Sequence, residues 1–258
     1  MNEANEISHQ TKLYGFIGEE AGKSSLSASI NRLFKANNKD AMTIPMNIRG
    51  DDFFFTLSNM KKSQVNGAII SNEYVGGAVE LLDESSEAVL KSGMCDILMR
   101  DGEKLIGDIF GMKVLIDFLK TKNVKKIALI GISSHAKAFS FLSNGNSFEL
   151  SYFNDDLEVL MNFITEMKIE NADINRIASQ MSVDFSGFDT VLNFSDFSDL
   201  NMIEKFSQLN LDMKQKTEFS VLKNRAKELG SEYISYDDLL NELSLAAYEF
   251  FKNKGHLE

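Results

Sequence analysis

"IALIGISSHAKAF", residues 127–139, is the stretch on which the reading of this chain turns. "IALI" is a short apolar run of the kind that forms a buried strand, Gly131 stops it, and the residues after Ser133 have the spacing of a helix. Strand, tight turn and helix in that order open a dinucleotide-binding βαβ unit. In such a turn glycines permit the bend, let the backbone approach a pyrophosphate and seat the helix close to the strand. Here Gly131 covers the bend, while Ser133 and Ser134 stand where the close-approach glycines would be. Each serine adds a Cβ and a hydroxyl and so hinders the approach, but the helix start still offers N–H groups to an anion.

The next apolar run, "FELSYF", ends in "NDD", which places Asp155 and Asp156 about two dozen residues after Gly131, where an acid binds a ribose 2′-hydroxyl. A carboxylate there repels a 2′-phosphate, so NAD is favoured over NADP if a cofactor binds. A doubly wound domain that binds no cofactor is the alternative, and it stays open.

Outward from this unit, strand and helix signals alternate along the chain. Strands are expected at 12–18, 41–48, 65–71 and 189–195, and helices at 25–36, 51–62, 110–122, 155–168 and 219–230, with a long helix at the C-terminal end. "MCDILMRDGEKLIG", residues 94–107, reads as a hairpin turning at Asp101-Gly102. The helix at 25–36 carries Leu26, Ile30, Leu33 and Phe34 on one face, with serines ahead of it as capping candidates. The alternation means α/β architecture. The expected organisation is a first domain over 1–110, a Rossmann-like doubly wound domain over 111–235, and a C-terminal helix over 236–258.

Composition narrows the function classes. Of 258 residues 43% are apolar, enough to fill a core, and a formal net charge of −11 repels phosphate backbones, so nucleic acid is not an expected partner. No stretch approaches the roughly 18 apolar residues of a membrane span, and "MNEANEISHQ" lacks the apolar segment of a signal peptide. The lone Cys95 makes no internal disulfide, so the expected location is the cytoplasm and the expected partner a small-molecule ligand. Cys95 reads as a buried small hydrophobe, and no His/Cys/Asp/Glu spacing suggests a metal site. His9 and His256 lie in polar termini. His135, at a helix start, reads as solvent-facing, with phosphate binding as the alternative. Oligomeric state is not legible.

The order of these segments resembles the shikimate dehydrogenase family over nearly the whole chain. Ser25-Leu26-Ser27-Ala28 matches three positions of the family's Ser-Leu-Ser-Pro stretch, and "LIGDIFGM" keeps Asp108 and Gly111 of its Gly-x-Asn-Thr-Asp-x-x-Gly segment. "GISSHAKA" keeps Gly131, Ala136 and Ala138 of its Gly-Ala-Gly-Gly-Ala-x-x-Ala turn, and "VLNFSD" keeps Asn193 of its Asn-Ala-Thr-Pro strand end. "DDLLNELSLAAYEFF" resembles its closing helix. The resemblance implies a substrate domain, a Rossmann-type cofactor domain and a final helix packing back on the first. It implies reduction of 3-dehydroshikimate by NAD(H) or NADP(H) in a cleft between domains. Ser25 and Ser27 would hold the substrate carboxylate, and Gly131, Ser133, Ser134, Asp155 and Asn193 the cofactor.

The departures fall at functional positions. Glu73 stands at the family's lysine, Ile69 at its threonine, Asp96 at its second substrate asparagine and Leu243 at its C-terminal glutamine, and Asn154-Asp155-Asp156 lacks the arginine of its Asn-Arg-Thr. Hydride transfer to a ketone builds negative charge on oxygen, which a cation or proton donor stabilises and an ionised glutamate opposes. Glu73 beside Asp108 would form a like-charge pair, in which one carboxyl tends to keep a proton that it could then donate. Two functions follow from this pattern. One is a shikimate dehydrogenase-like NAD(P)-dependent oxidoreductase using Asp108 and Glu73 as catalytic groups and Ser25, Ser27 and Asp96 to hold a hydroxy acid. The other is a catalytically impaired relative that binds a small molecule or regulates. Structural roles stay open for several of these residues: Asp108 as a helix cap, the two serines as N-cap and first-turn residues, Glu73 as a solvated side chain.

Overall fold

The computed structural model describes residues 10–255 and 257; His9 and His256 lie outside them. The chain divides into two compact units, Met1–Gly111 with Leu240–Glu258, and Met112–Leu239.

The first unit runs β1 (Lys12–Gly18), α1 (Leu26–Ala36), β2 (Ala41–Asn47), α2 (Gly50–Met60), β3 (Val65–Ile70), α3 (Val75–Val79), β4 (Glu84–Ser85), α4 (Glu87–Ser92), β5 (Ile97–Asp101) and β6 (Lys104–Asp108). Its strands form one sheet in the order β2-β1-β3-β5-β6-β4. β1 pairs parallel to both β2 and β3, whereas β5 runs antiparallel to β3 and β6. The mixed sheet follows from the hairpin. Asp101 pairs with Lys104, so the turn is Gly102-Glu103, one residue later than the sequence suggests. Gly102 takes φ +58° there, as the first central position of a type II′ turn requires.

The second unit opens with α5 (Gly111–Thr121), whose first residue is the last of unit 1. It continues with β7 (Lys126–Ile130), α6 (Ser134–Ser143), β8 (Glu149–Asn154), α7 (Leu157–Met167), β9 (Asp173–Arg176), β10 (Val183–Asp184), β11 (Thr190–Asn193), β12 (Ile203–Lys205), β13 (Leu209–Leu211) and α8 (Val221–Glu228). Five strands make a parallel sheet in the order β13-β11-β7-β8-β9. Parallel strands covered on both faces read as apolar runs rather than alternating ones, and Ile127, Ala128, Leu129 and Ile130 are all fully buried. The chain leaves β7 toward β8 on one side and returns to β11 on the other. That reversal is the switch point at which open α/β sheets bind ligands, outside the carboxyl ends of their strands.

The last helix, α9 (Leu240–Lys254), belongs to the first unit and packs on α1. Phe251 stacks on Tyr14 at 4.2 Å between ring centroids, and Tyr248 meets Phe34 at 5.5 Å. Leu26, Ile30 and Phe34 of α1 are buried as their spacing predicts, and Leu33 is half-buried. The α/β architecture expected from the sequence, with a Rossmann-like sheet and a closing helix on the first unit, is borne out. Among the described residues no helix is long and apolar enough to cross a membrane.

Candidate functional site

In the first unit the candidate groups gather where β1, β3 and β6 end. Ile69 of β3 pairs with Ile97, and Ile97 with Asp108 of β6, so Asp108 lies two strands, about 10 Å, from Ile69. Just beyond β3, Glu73 accepts hydrogen bonds at both oxygens, from the Ser71 hydroxyl at 2.6 Å and from the Glu19 backbone N–H at 2.8 Å. It thereby ties the end of β1 to the loop after β3. Asp108 is half-buried and accepts from the N–H of Ile109 at 2.8 Å.

Around these groups the field is negative. Burial, and then the carboxylates of Glu19, Glu73, Asp51 and Asp52, hold the Tyr74 phenol above its ordinary range. Tyr74 donates to the Ile48 carbonyl at 2.7 Å and stacks on Phe53.

Asp96 is buried and turned to backbone. Its two oxygens accept from the N–H groups of Phe110 at 2.7 Å and Gly111 at 2.9 Å, so it caps the start of α5. Ser25 is the exposed N-cap residue of α1, yet its hydroxyl makes no cap bond; the Ser24 hydroxyl accepts from Leu26 N–H instead. Ser27 is 4% exposed and its hydroxyl has no hydrogen-bond partner. A buried polar group without a partner costs roughly 1–3 kcal/mol, which a ligand oxygen would recover. Ile69 and Leu243 are core residues.

In the second unit Gly131 follows β7 at φ +87°. A Cβ there would lie 2.5 Å from Ser195 N and Cα, so both the backbone conformation and the space demand glycine. Ser133 is the N-cap residue of α6 at φ −65° and ψ 176°, a conformation any residue adopts. The turn therefore forms without further glycines. The Ser133 side chain makes no cap bond, so side chains leave the first N–H groups of α6 uncapped.

Asn193, at the end of β11, is 1% exposed. Its Oδ1 accepts from the Ser195 hydroxyl at 2.6 Å and the Ser195 N–H at 3.3 Å. That backbone donor fixes the amide orientation and leaves Nδ2 buried without an acceptor. Asp155 is exposed, and Asp156 caps α7 by accepting from the N–H groups of Glu158 and Val159.

Two residues escape sequence reasoning. Arg176 pairs in register with Asn154, and its Nε donates to the Asp155 carbonyl, so a cation stands beside the acidic loop. No local signal could have placed it there, because it arrives from the next strand. His135, expected to face solvent, is half-buried and stacked on Phe194 at 6.1 Å. Burial lowers its pKa to about 4, so the ring is neutral at pH 7. Among the described residues no three His, Cys, Asp or Glu side chains come together to hold a metal ion.

Comparison with known structures decides the fold. An Ael1 enzyme from Pseudomonas putida superposes with a TM-score of 0.76 at 17% identity, covering 94% of this chain and 93% of that one. Shikimate dehydrogenase from Aquifex aeolicus gives 0.75 at 17% identity, covering 95% and 94%. The shikimate 5-dehydrogenase of Listeria monocytogenes, solved with shikimate and NAD, gives 0.71 at 15%, covering 96% and 94%. The fold is that of the shikimate dehydrogenases. The resemblance read from the sequence is thereby borne out. In sequence, the chain is 24% identical over 138 residues to the shikimate dehydrogenase (NADP(+)) of Pyrococcus furiosus. That match spans about half of each protein, 52% of this chain and 51% of the relative. No family model matches the chain.

Proposed function

We propose that this protein is a shikimate dehydrogenase-like, NAD(P)-dependent oxidoreductase acting on shikimate, 3-dehydroshikimate or a related hydroxy acid. One observation carries the reading: the buried, unpartnered Nδ2 of Asn193 at the switch point of the parallel sheet, beside Gly131 and the uncapped start of α6. These groups suit the anionic middle of a dinucleotide. Gly131 permits the turn from β7 into α6, the first N–H groups of α6 would meet a phosphate, and Asn193 would donate to an oxygen. When bound, the nicotinamide ring supplies or takes up the hydride. Asp155 would meet the ribose hydroxyls, which favours NAD, and Arg176 is the nearby cation through which a 2′-phosphate could be tolerated.

In the first unit the orphaned Ser27 hydroxyl, with Ser25, would hold the carboxylate of the ligand. Asp108 would take up or deliver the proton that accompanies hydride transfer.

A second reading, a catalytically impaired protein that binds a small molecule, is favoured by Glu73. Its carboxylate sits where the family resemblance places a lysine, it is held by Ser71 and Glu19, and it stands among other acids. Negative charge there raises the energy of an alkoxide-like transition state. The two readings separate in one experiment, NADH and NADPH binding by calorimetry followed by turnover with shikimate and 3-dehydroshikimate. Binding with turnover supports the first, binding without turnover the second, and no binding of either dinucleotide contradicts the first and leaves the second with a different small molecule. If the missing cation limits the rate, Glu73→Lys raises turnover at least tenfold. An unchanged or lower rate assigns the loss to other positions.

A further inference from the structure

We propose that the His135–Phe194 ring pair is a plug in the dinucleotide crevice of the second unit, and that it sets how readily this protein admits its cofactor. The inference rests on the cofactor reading above.

The crevice lies where β7 and β11 end side by side, Ile130 paired with Asn193. The walls of such a crevice are the turn after one strand and the strand end after the other, and small residues there let a pyrophosphate approach. Here each wall contributes a ring. His135 rises from the first turn of α6, Phe194 follows β11, and the two rings stack with an offset, 6.1 Å between centroids and 26° between their planes. Phe194 is anchored from behind. Its N–H donates to the Ile130 carbonyl at 2.8 Å, and its ring also meets Phe139 of α6 at 6.3 Å. It is therefore buried, while His135 remains half-buried at the rim.

One further observation agrees with a closed crevice. The His135 imidazole is desolvated and neutral, so it offers no charge to draw a phosphate in. The ring pair holds itself shut with the modest energy of an aromatic contact, so a dinucleotide can displace it at a cost in affinity.

His135→Ala removes the half-buried half of the plug and leaves the buried Phe194 in place. Calorimetric titration with NADH and NADPH should show this variant binding at least fivefold tighter than the wild type. Phe194→Leu, which keeps the core filled, should shift affinity the same way, with circular dichroism confirming that both variants are folded. Equal or weaker binding by the variants overturns the plug and leaves the cofactor reading standing. No binding by the wild type or either variant at millimolar dinucleotide overturns both.

Discussion

Gly131 is the residue at which backbone geometry and site coincide. Its φ of +87° and the Ser195 backbone 2.5 Å from any added Cβ make alanine doubly unfavourable. Gly131→Ala should cost roughly 2 kcal/mol or more, read as a lower denaturation midpoint in urea, together with loss of any dinucleotide binding. A stability equal to the wild type would mean the turn has another conformation. His135 makes a second residue-scale prediction. Its pKa is depressed to about 4 from an ordinary value near 6.5. Below pH 6.5 the unfolded chain therefore takes up a proton that the folded protein refuses until about pH 4. Its contribution to stability is complete above pH 6.5 and declines across that window. The loss of stability between pH 7 and pH 4.5 should be smaller in His135→Ala than in the wild type, and an equal loss would contradict a buried neutral ring. The sequence alone placed this histidine in solvent, because the phenylalanine that covers it comes from a distant strand. Gly131 was legible because the turn after a buried strand is a local feature.

At the scale of elements, strands and helices were read with small offsets, since apolar periodicity is local. The α7 helix starts at Leu157 behind its Asp156 cap, two residues later than expected, and the α1 stripe buries three of the four residues its spacing selects. What periodicity could not show is how Asp96 is used. As a substrate residue it would reach toward a ligand; in the fold both its oxygens cap α5, fourteen and fifteen residues further along the chain. Asp96→Ala should cost about 1–3 kcal/mol, because it leaves two N–H groups at a helix start without their acceptor. Asp96→Asn, which keeps one acceptor, should recover part of the loss. If neither variant changes the urea midpoint, the capping role is wrong. The short strands β10, β12 and β13 escaped notice because two or three residues carry too little pattern to distinguish a strand from a loop.

Across the whole molecule, the order of elements matches the shikimate dehydrogenase fold. Ile69 and Leu243 lie in the core, Asp96 caps α5, and Glu73 ties two loops together. Each has a structural use that its polar or apolar side chain satisfies. The second unit brings together a glycine turn, an uncapped helix start and a buried donor without an acceptor. Calorimetric titration of the protein with NADH, alongside Asn193→Asp, which exchanges the free donor for an acceptor, tests whether these groups bind a dinucleotide. Saturable binding by the wild type below millimolar concentration is expected, with its loss in Asn193→Asp while the fold stays intact. Absence of binding by the wild type at millimolar NADH and NADPH, or undiminished binding by Asn193→Asp, would contradict dinucleotide binding by these groups.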